Sequence, residues 1–237
     1  YKLEALLAAR VHGERDHKEI LFGDDAEADA FIYSLYGDLC AGRVDNRHLM
    51  SVLDAARVYP ENMAQIVRTA GRVPRADCVH RIFIHLDRVS SPAMFEAFGP
   101  RVCPFFNYFQ PALVLVEDGL LDPLACLRVG AGFLLQQGFH PSTLNASFAE
   151  LANKGLIGSG CAAKMAATRP AVTPNVFAGA TAGLLRFLDA VDARLPDLGP
   201  ARPPEPVEID YVKIFGSDRE RAHAAKRRAR WRPPRFG

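Results

Sequence analysis

The stretch from Glu19 to Asp29, EILFGDDAEAD, constrains the fold of this chain more than any other part of its sequence. It reads as a short apolar strand that ends in a glycine and a cluster of carboxylates. Three of these, Asp24, Asp25 and Asp29, follow the strand within a few residues. Ligands usually bind at the carboxyl edge of a parallel sheet, and Mg²⁺ prefers carboxylate oxygens. The stretch therefore predicts an α/β fold with a candidate Mg²⁺ site at these three aspartates.

The same residues also suit a purely structural role. Asp25 is a good N-cap for a following helix, and Asp29 would favour the positive N-terminus of that helix. Helix caps and metal sites use the same side chains, so this segment alone leaves both interpretations open.

A second strand is predicted from Val79 to Leu86, where Ile82, Phe83 and Ile84 run consecutively. Such a run indicates burial on both faces, as in a parallel sheet. Apolar spacing and helix-start residues predict helices at Lys2–Arg10, Ala26–Cys40, from Asn46, at Glu61–Thr69 and from Ser91-Pro92. This order is typical of part of a doubly wound α/β sheet.

The pattern becomes helical after Phe105, and no strand is predicted from there to Arg194. Helices are predicted up to Gly119, at Asp122–Gln137, at Pro141–Asn153, and from Thr173 or Asn175 to about Arg194. A Pro-rich stretch, Leu195–Val207, reads as a linker, and Glu208–Phe215 as a short strand.

Charge is distributed unevenly along the 237 residues. The segment from Arg219 to Gly237 holds eight basic residues and one acidic residue, a net +7, so a total of +2 leaves −5 for the remainder. A mildly acidic body does not predict nucleic-acid binding. The basic tail could bind RNA, DNA or an anionic membrane, or it could be a solvated tail.

The five cysteines are odd in number, widely spread and contain no Cys-x-x-Cys motif. Reduced thiols in a cytoplasmic protein are the simplest interpretation. No stretch approaches the roughly 20 apolar residues of a membrane span. We therefore expect a cytoplasmic protein without a transmembrane segment.

Three segments, YKLEALL, ILFGDDAEADAFIYSLY and VHRIFIHLDR, resemble a known family. A lysine lies upstream of a strand that ends in Gly-Asp-x-x-x-x-Asp, as in motifs three and four of the haloacid dehalogenase superfamily of phosphatases. The likeness is closest to the catalytic domain of the actin-patch-associated phosphatidate phosphatases, and it covers roughly residues 1–90.

The resemblance implies a partial Rossmann-like parallel sheet of haloacid dehalogenase type, as the C-terminal part of such a domain at residues 1–100. The residue patterns beyond it predict a helical module (101–195), a Pro-rich linker (196–218) and a basic tail (219–237).

The resemblance also implies roles for single residues. Asp24 would be the main Mg²⁺ ligand, supported by Asp29 or Asp25, and Lys2 would neutralise the phosphoryl group. The implied reaction is hydrolysis of a phosphomonoester, a phosphorylated small molecule or a lipid phosphate, through an aspartyl-phosphate.

One part of the family pattern is missing, because the sequence contains no Asp-x-Asp motif to supply the nucleophile. The chain is therefore expected to be the carboxyl-terminal portion of a larger phosphatase-like protein, or a protein that has lost its nucleophile, and to lack turnover by itself. The alternative is a non-catalytic interaction module that binds nucleic acid or anionic surfaces through its basic tail.

Overall fold

The computed structural model describes residues 1–26, 28–88 and 90–216. The chain divides into two compact units. The first unit comprises residues 1–21, 28–82 and 207–216, and the second comprises 22–26, 83–88 and 90–206. The predicted basic tail, 219–237, lies outside the described residues.

A small parallel sheet of three strands confirms the α/β class. The strands are β1 (Glu19–Asp24), β2 (Val79–His85) and β3 (Val102–Phe105), in the order β1-β2-β3. In the central strand, Ile82, Phe83 and Ile84 are fully buried, which confirms the expectation drawn from their consecutive run. The amino halves of β1 and β2 belong to the first unit, and their carboxyl halves belong with β3 to the second.

Four helices build the first unit: α1 (Lys2–Val11), α2 (Asp29–Ala41), α3 (Asn46–Ala55) and α4 (Pro60–Ala70). Helix α1 packs against α2 and α4, and α3 packs against α4. Their buried faces carry the apolar residues that the helical spacing selected, among them Leu7, Leu35 and Leu49.

Five further helices belong to the second unit: α5 (Phe109–Glu117), α6 (Pro123–Gln136), α7 (Pro141–Asn153), α8 (Ser159–Ala166) and α9 (Thr181–Arg194). Helices α5 and α9 both pack on α6, α7 and α8. The ring of Phe187 on α9 makes edge contacts with Phe109 and Phe148 at centroid distances of 5.3 and 6.1 Å. These rings form part of an apolar core between the helices.

The structure corrects several predicted elements. Strand β3 and helix α8 were not predicted, and the last helix begins at Thr181 rather than at Thr173 or Asn175. The helix predicted from Ser91-Pro92 is a short 3₁₀ helix, Pro92–Phe98. Residues 211–216 are helical rather than a strand, because the Asp210 carboxylate accepts a hydrogen bond from the Lys213 N–H (3.0 Å) and starts the helix.

The Pro-rich stretch is fastened to the second unit by backbone hydrogen bonds. The Arg202 N–H donates to the Gly155 carbonyl (2.8 Å), and the Ser159 N–H donates to the Gly199 carbonyl (2.9 Å). This stretch therefore differs from the free linker that its composition suggests. Within the described residues, no helix combines the length and the hydropathy that a membrane crossing requires.

Candidate functional site

Backbone hydrogen bonds join the carboxyl ends of the three strands within the second unit. The Asp25 N–H donates to the His85 carbonyl (3.0 Å), and the Leu86 N–H donates to the Phe105 carbonyl (2.8 Å). His85 and Phe105 are the last residues of β2 and β3, and Asp25 follows β1 directly. Because ligands of open α/β sheets bind at this edge, the strand ends are the first place to look for a site.

Asp24, the last residue of β1, is exposed to solvent. Its Oδ1 accepts a hydrogen bond from the Ala26 N–H (2.8 Å). Such an Asx turn reverses the chain directly after the strand. Asp24 thus presents a carboxylate at the strand end, as the sequence predicts.

Asp25 ties two loops of the second unit together. Its carboxylate accepts hydrogen bonds from the Arg88 N–H (2.9 Å) and the Ser90 N–H (3.0 Å). Burial raises the pKa of this carboxyl group, but the two N–H groups, together with the Ser90 side chain and the backbone of Asp25 itself, outweigh burial and hold the pKa below its ordinary value. Asp25 is not the N-cap of α2, because that helix begins at Asp29 after Ala28.

Lys2 and Asp29 form an ion pair within the first unit, although 27 residues separate them in the chain. Each residue begins a helix, α1 and α2 respectively. The Asp29 side chain is 4% exposed and the Lys2 side chain 34% exposed, so the carboxylate is buried while the ammonium reaches solvent. The structure therefore brings together two of the four residues that the sequence assigns to a site.

A cavity of about 420 Å³ lies in the first unit, with Lys2 in its wall. Lys2 and Glu4 bring charge to a lining that is otherwise mostly apolar. The apolar side chains come from α1 to α4 and from the helix after Asp210, and include Leu3, Phe31, Leu35, Val52, Ile66 and Phe215. This combination suits a ligand that has both a charged and an apolar part.

An aromatic cluster in the second unit forms where β2 and β3 end. The His85 ring lies 5.1 Å from Phe105 and 5.6 Å from Tyr108, and the latter two rings are 5.2 Å apart. The cluster is hard to read from sequence because β3 spans four residues and contains Pro104, which argues against a strand. The apolar run that starts at Val102 is the signal that could have found it.

Asp24, Asp25 and Asp29 can be compared with the set of ligands that a Mg²⁺ site requires. Across residues 1–26, 28–88 and 90–216, no group of three or more His, Cys, Asp or Glu side chains is arranged to hold a metal ion. Mg²⁺ is, however, commonly held by one or two carboxylates, with water and a substrate phosphate completing its shell. Asp24, which is exposed at the strand end, fits such a site as a single carboxylate ligand.

Comparisons of the chain with protein-family models, with curated proteins and with solved structures give no match. The resemblance to haloacid dehalogenase-type phosphatases accordingly rests on the sequence motifs around Lys2 and Asp24.

Proposed function

We propose that this protein binds a phosphorylated ligand together with Mg²⁺, as a phosphatase-like protein of haloacid dehalogenase type. The observation that carries the proposal is the ion pair between Lys2 and Asp29. The resemblance assigns both residues to one site, and a separation of 27 residues does not by itself bring two side chains together. The parallel sheet with Asp24 at its carboxyl edge supports the same proposal.

Each residue has a defined role in this proposal. The Lys2 ammonium donates hydrogen bonds to phosphoryl oxygens and offsets their charge, and Asp29 holds that ammonium in place. Asp24 offers one carboxylate to Mg²⁺. When bound at Asp24, Mg²⁺ would supply positive charge at the carboxyl edge of the sheet.

The cavity beside Lys2 indicates what else the ligand carries. Its lining is mostly apolar, so burial of a hydrocarbon group there would contribute about 25 cal/mol per Å² of apolar surface. A phosphomonoester with an apolar group, such as an alkyl or lipid phosphate, therefore fits better than a sugar phosphate.

Binding, rather than turnover, is the property of this chain that can be tested. The sequence contains no Asp-x-Asp, so hydrolysis through an aspartyl-phosphate would need a nucleophile that these 237 residues do not supply.

Isothermal titration calorimetry with Mg²⁺ tests the metal part of the proposal. We expect Asp24→Asn to weaken Mg²⁺ binding at least about tenfold, since it removes the charge of the ligating carboxylate. Asp16→Asn is the matched control, because Asp16 is an exposed aspartate in the turn between α1 and β1. Equal Mg²⁺ affinity of the two variants would contradict the role of Asp24.

A further inference from the structure

Two cysteines of the first unit, Cys40 and Cys78, place their thiols side by side in the protein interior. Cys40 lies in the last turn of α2, and Cys78 directly precedes β2. Both are buried, with 0% and 1% of their surface exposed. The two thiols lie close enough for each to affect the pKa of the other, and we call them the thiol pair.

Backbone hydrogen bonds fix both ends of the thiol pair. The Cys40 carbonyl accepts from the Ala76 N–H (2.9 Å), and the Cys78 N–H donates to the Ala76 carbonyl (3.0 Å). The Cys78 carbonyl accepts from the Glu19 N–H of β1 (2.7 Å). The main chain therefore holds the two cysteines next to each other, although 38 residues separate them.

Ionisable side chains from three elements surround the thiol pair. Tyr36 on α2 donates a hydrogen bond to Glu19 on β1 (2.7 Å), and Arg10 on α1 donates to the other oxygen of the same carboxylate (3.2 Å). Among the described residues, the buried Nε of Arg10 has no hydrogen-bond partner. Arg10 supplies positive charge that favours a thiolate at Cys78.

The two thiols differ in acidity. The hydrogen bond from Cys40 lowers the pKa of Cys78 to about 7, in spite of burial and of the nearby Glu19 carboxylate. The same hydrogen bond, together with burial, raises the pKa of Cys40. At neutral pH Cys78 is therefore partly a thiolate while Cys40 remains a thiol, and a thiolate and a thiol are the two partners that form a disulfide.

We propose that Cys40 and Cys78 are a modification site, at which a hydroperoxide oxidises the thiol pair to an intramolecular disulfide. The Cys78 thiolate attacks one peroxide oxygen, the O–O bond breaks, and Cys78 becomes a sulfenic acid while the released hydroxide or alkoxide takes up a proton. The Cys40 sulfur then attacks the Cys78 sulfur, and the hydroxyl group leaves as water with the Cys40 proton. Two thiols and one molecule of hydrogen peroxide thus give one disulfide and two molecules of water.

The second unit contains another pair of buried cysteines that serves as a control for the thiol pair. Cys126 and Cys161 are also fully buried and lie close enough for Cys161 to affect the pKa of Cys126. Burial raises the pKa of both, that of Cys161 to about 12, and the Cys161 thiol donates to the Leu113 carbonyl at 3.5 Å. Burial of the two cysteine pairs is therefore similar, but neither Cys126 nor Cys161 is activated as a thiolate.

The test treats the full chain with hydrogen peroxide at pH 7, blocks the remaining thiols with N-ethylmaleimide in denaturant, and maps the cysteines by peptide mass spectrometry. We expect a peptide pair cross-linked through Cys40 and Cys78 that dithiothreitol releases, while Cys126 and Cys161 carry the blocking group. Hydrogen peroxide is used because it is the smallest hydroperoxide.

Two variants show the order of the steps. Cys40→Ser should stop at the sulfenic acid of Cys78, which dimedone captures, and Cys78→Ser should yield neither the adduct nor the disulfide. Cys126→Ser, the matched control, should form the disulfide normally. The proposal is overturned if the chain without substitutions keeps Cys40 and Cys78 reduced while other cysteines oxidise. It is also overturned if all five cysteines oxidise at equal rates. Both outcomes are read from the chain without substitutions, so they do not depend on whether a variant folds.

Discussion

The phenol of Tyr211 donates a hydrogen bond of 2.6 Å to the carboxylate of Asp38, which lies 173 residues earlier in the chain. Tyr211 is fully buried, and its ring makes an edge contact with Phe31 at 5.4 Å. The other oxygen of Asp38 accepts from Arg43 (2.7 Å). This contact makes the segment after the Pro-rich stretch part of the first unit.

Removal of the Tyr211 hydroxyl should therefore destabilise the protein. We expect Tyr211→Phe to lower the free energy of unfolding by about 1–3 kcal/mol, because a buried carboxylate loses a donor. Tyr211→Ala should cost more, about 3–5 kcal/mol, since it also leaves a cavity. Urea denaturation measures both, with the exposed Tyr59→Phe as the control; equal stabilities of the two phenylalanine variants would contradict the contact.

The ion pair of Lys2 and Asp29 predicts an asymmetry between two variants. Lys2→Met leaves a buried carboxylate without its ammonium and should cost about 2–3 kcal/mol. Asp29→Asn leaves a lysine that can turn to solvent, and should cost about 1 kcal/mol. Urea denaturation of the single and double variants gives the coupling energy, and additive effects would show that the pair does not interact.

Asp25 predicts a pH-dependent contribution to stability. Its pKa is lowered in the folded state, so the contribution is fully present above the ordinary value of 3.8 and is lost as the pH falls through the lower folded value. We expect Asp25→Ala to cost about 1–2 kcal/mol at pH 7 and progressively less below pH 3.8. The measurement is urea denaturation across this range, and a cost that stays constant with pH would refute the charged contact.

Two glycines predict opposite effects of the same substitution. A Cβ at Gly158 would lie 2.4 Å from the Gly199 carbonyl oxygen and 2.5 Å from the Ala201 nitrogen, both backbone atoms. Gly158→Ala should therefore cost about 2–3 kcal/mol or more. Gly132 lies within α6 with nothing within 4 Å of an added Cβ, so Gly132→Ala should stabilise by about 0.5–1 kcal/mol. Thermal denaturation of both variants checks the prediction, which fails if the two shifts have the same sign.

Because the pKa of Cys78 is lowered, we expect its thiol to titrate near neutral pH. Its pKa is about 7 in the folded protein and 9.0 ordinarily, so between these values the folded state binds fewer protons than the unfolded state. This contribution to stability is present at the upper end of the window and is lost as the pH falls through about 7. Thiolate absorbance in the ultraviolet should rise with a midpoint near 7, and Cys78→Ser should remove that step; a midpoint near 9 would contradict the activation.

Local sequence signals account for the elements that were predicted correctly. Helix α2 ends at Gly42, which adopts a φ of 77°, a conformation that glycine reaches without strain. Helix α8 could not be read this way, because its start depends on a distant side chain: the Glu117 carboxylate accepts from the Gly158 N–H (2.7 Å) and the Cys161 N–H (3.0 Å). Tertiary contacts of this kind leave no signal within the helix itself.

In the candidate site too, the features with a local sequence signal could be predicted and those that depend on distant contacts could not. Asp24 could be predicted at a strand end because the apolar run before it is local. The role of Asp25 could not, because its partners Arg88 and Ser90 lie more than 60 residues away and act through backbone N–H groups that any residue type supplies.

Binding of hexyl phosphate in the presence of Mg²⁺, measured by calorimetry, tests the proposed function most directly. We expect Lys2→Gln to weaken binding at least about tenfold, Lys2→Arg to retain it, and Lys18→Gln, which changes an exposed lysine elsewhere in the first unit, to leave it unchanged. Absence of binding to the unmodified chain, or equal affinity of the Lys2→Gln and Lys18→Gln variants, would contradict a phosphate site at Lys2.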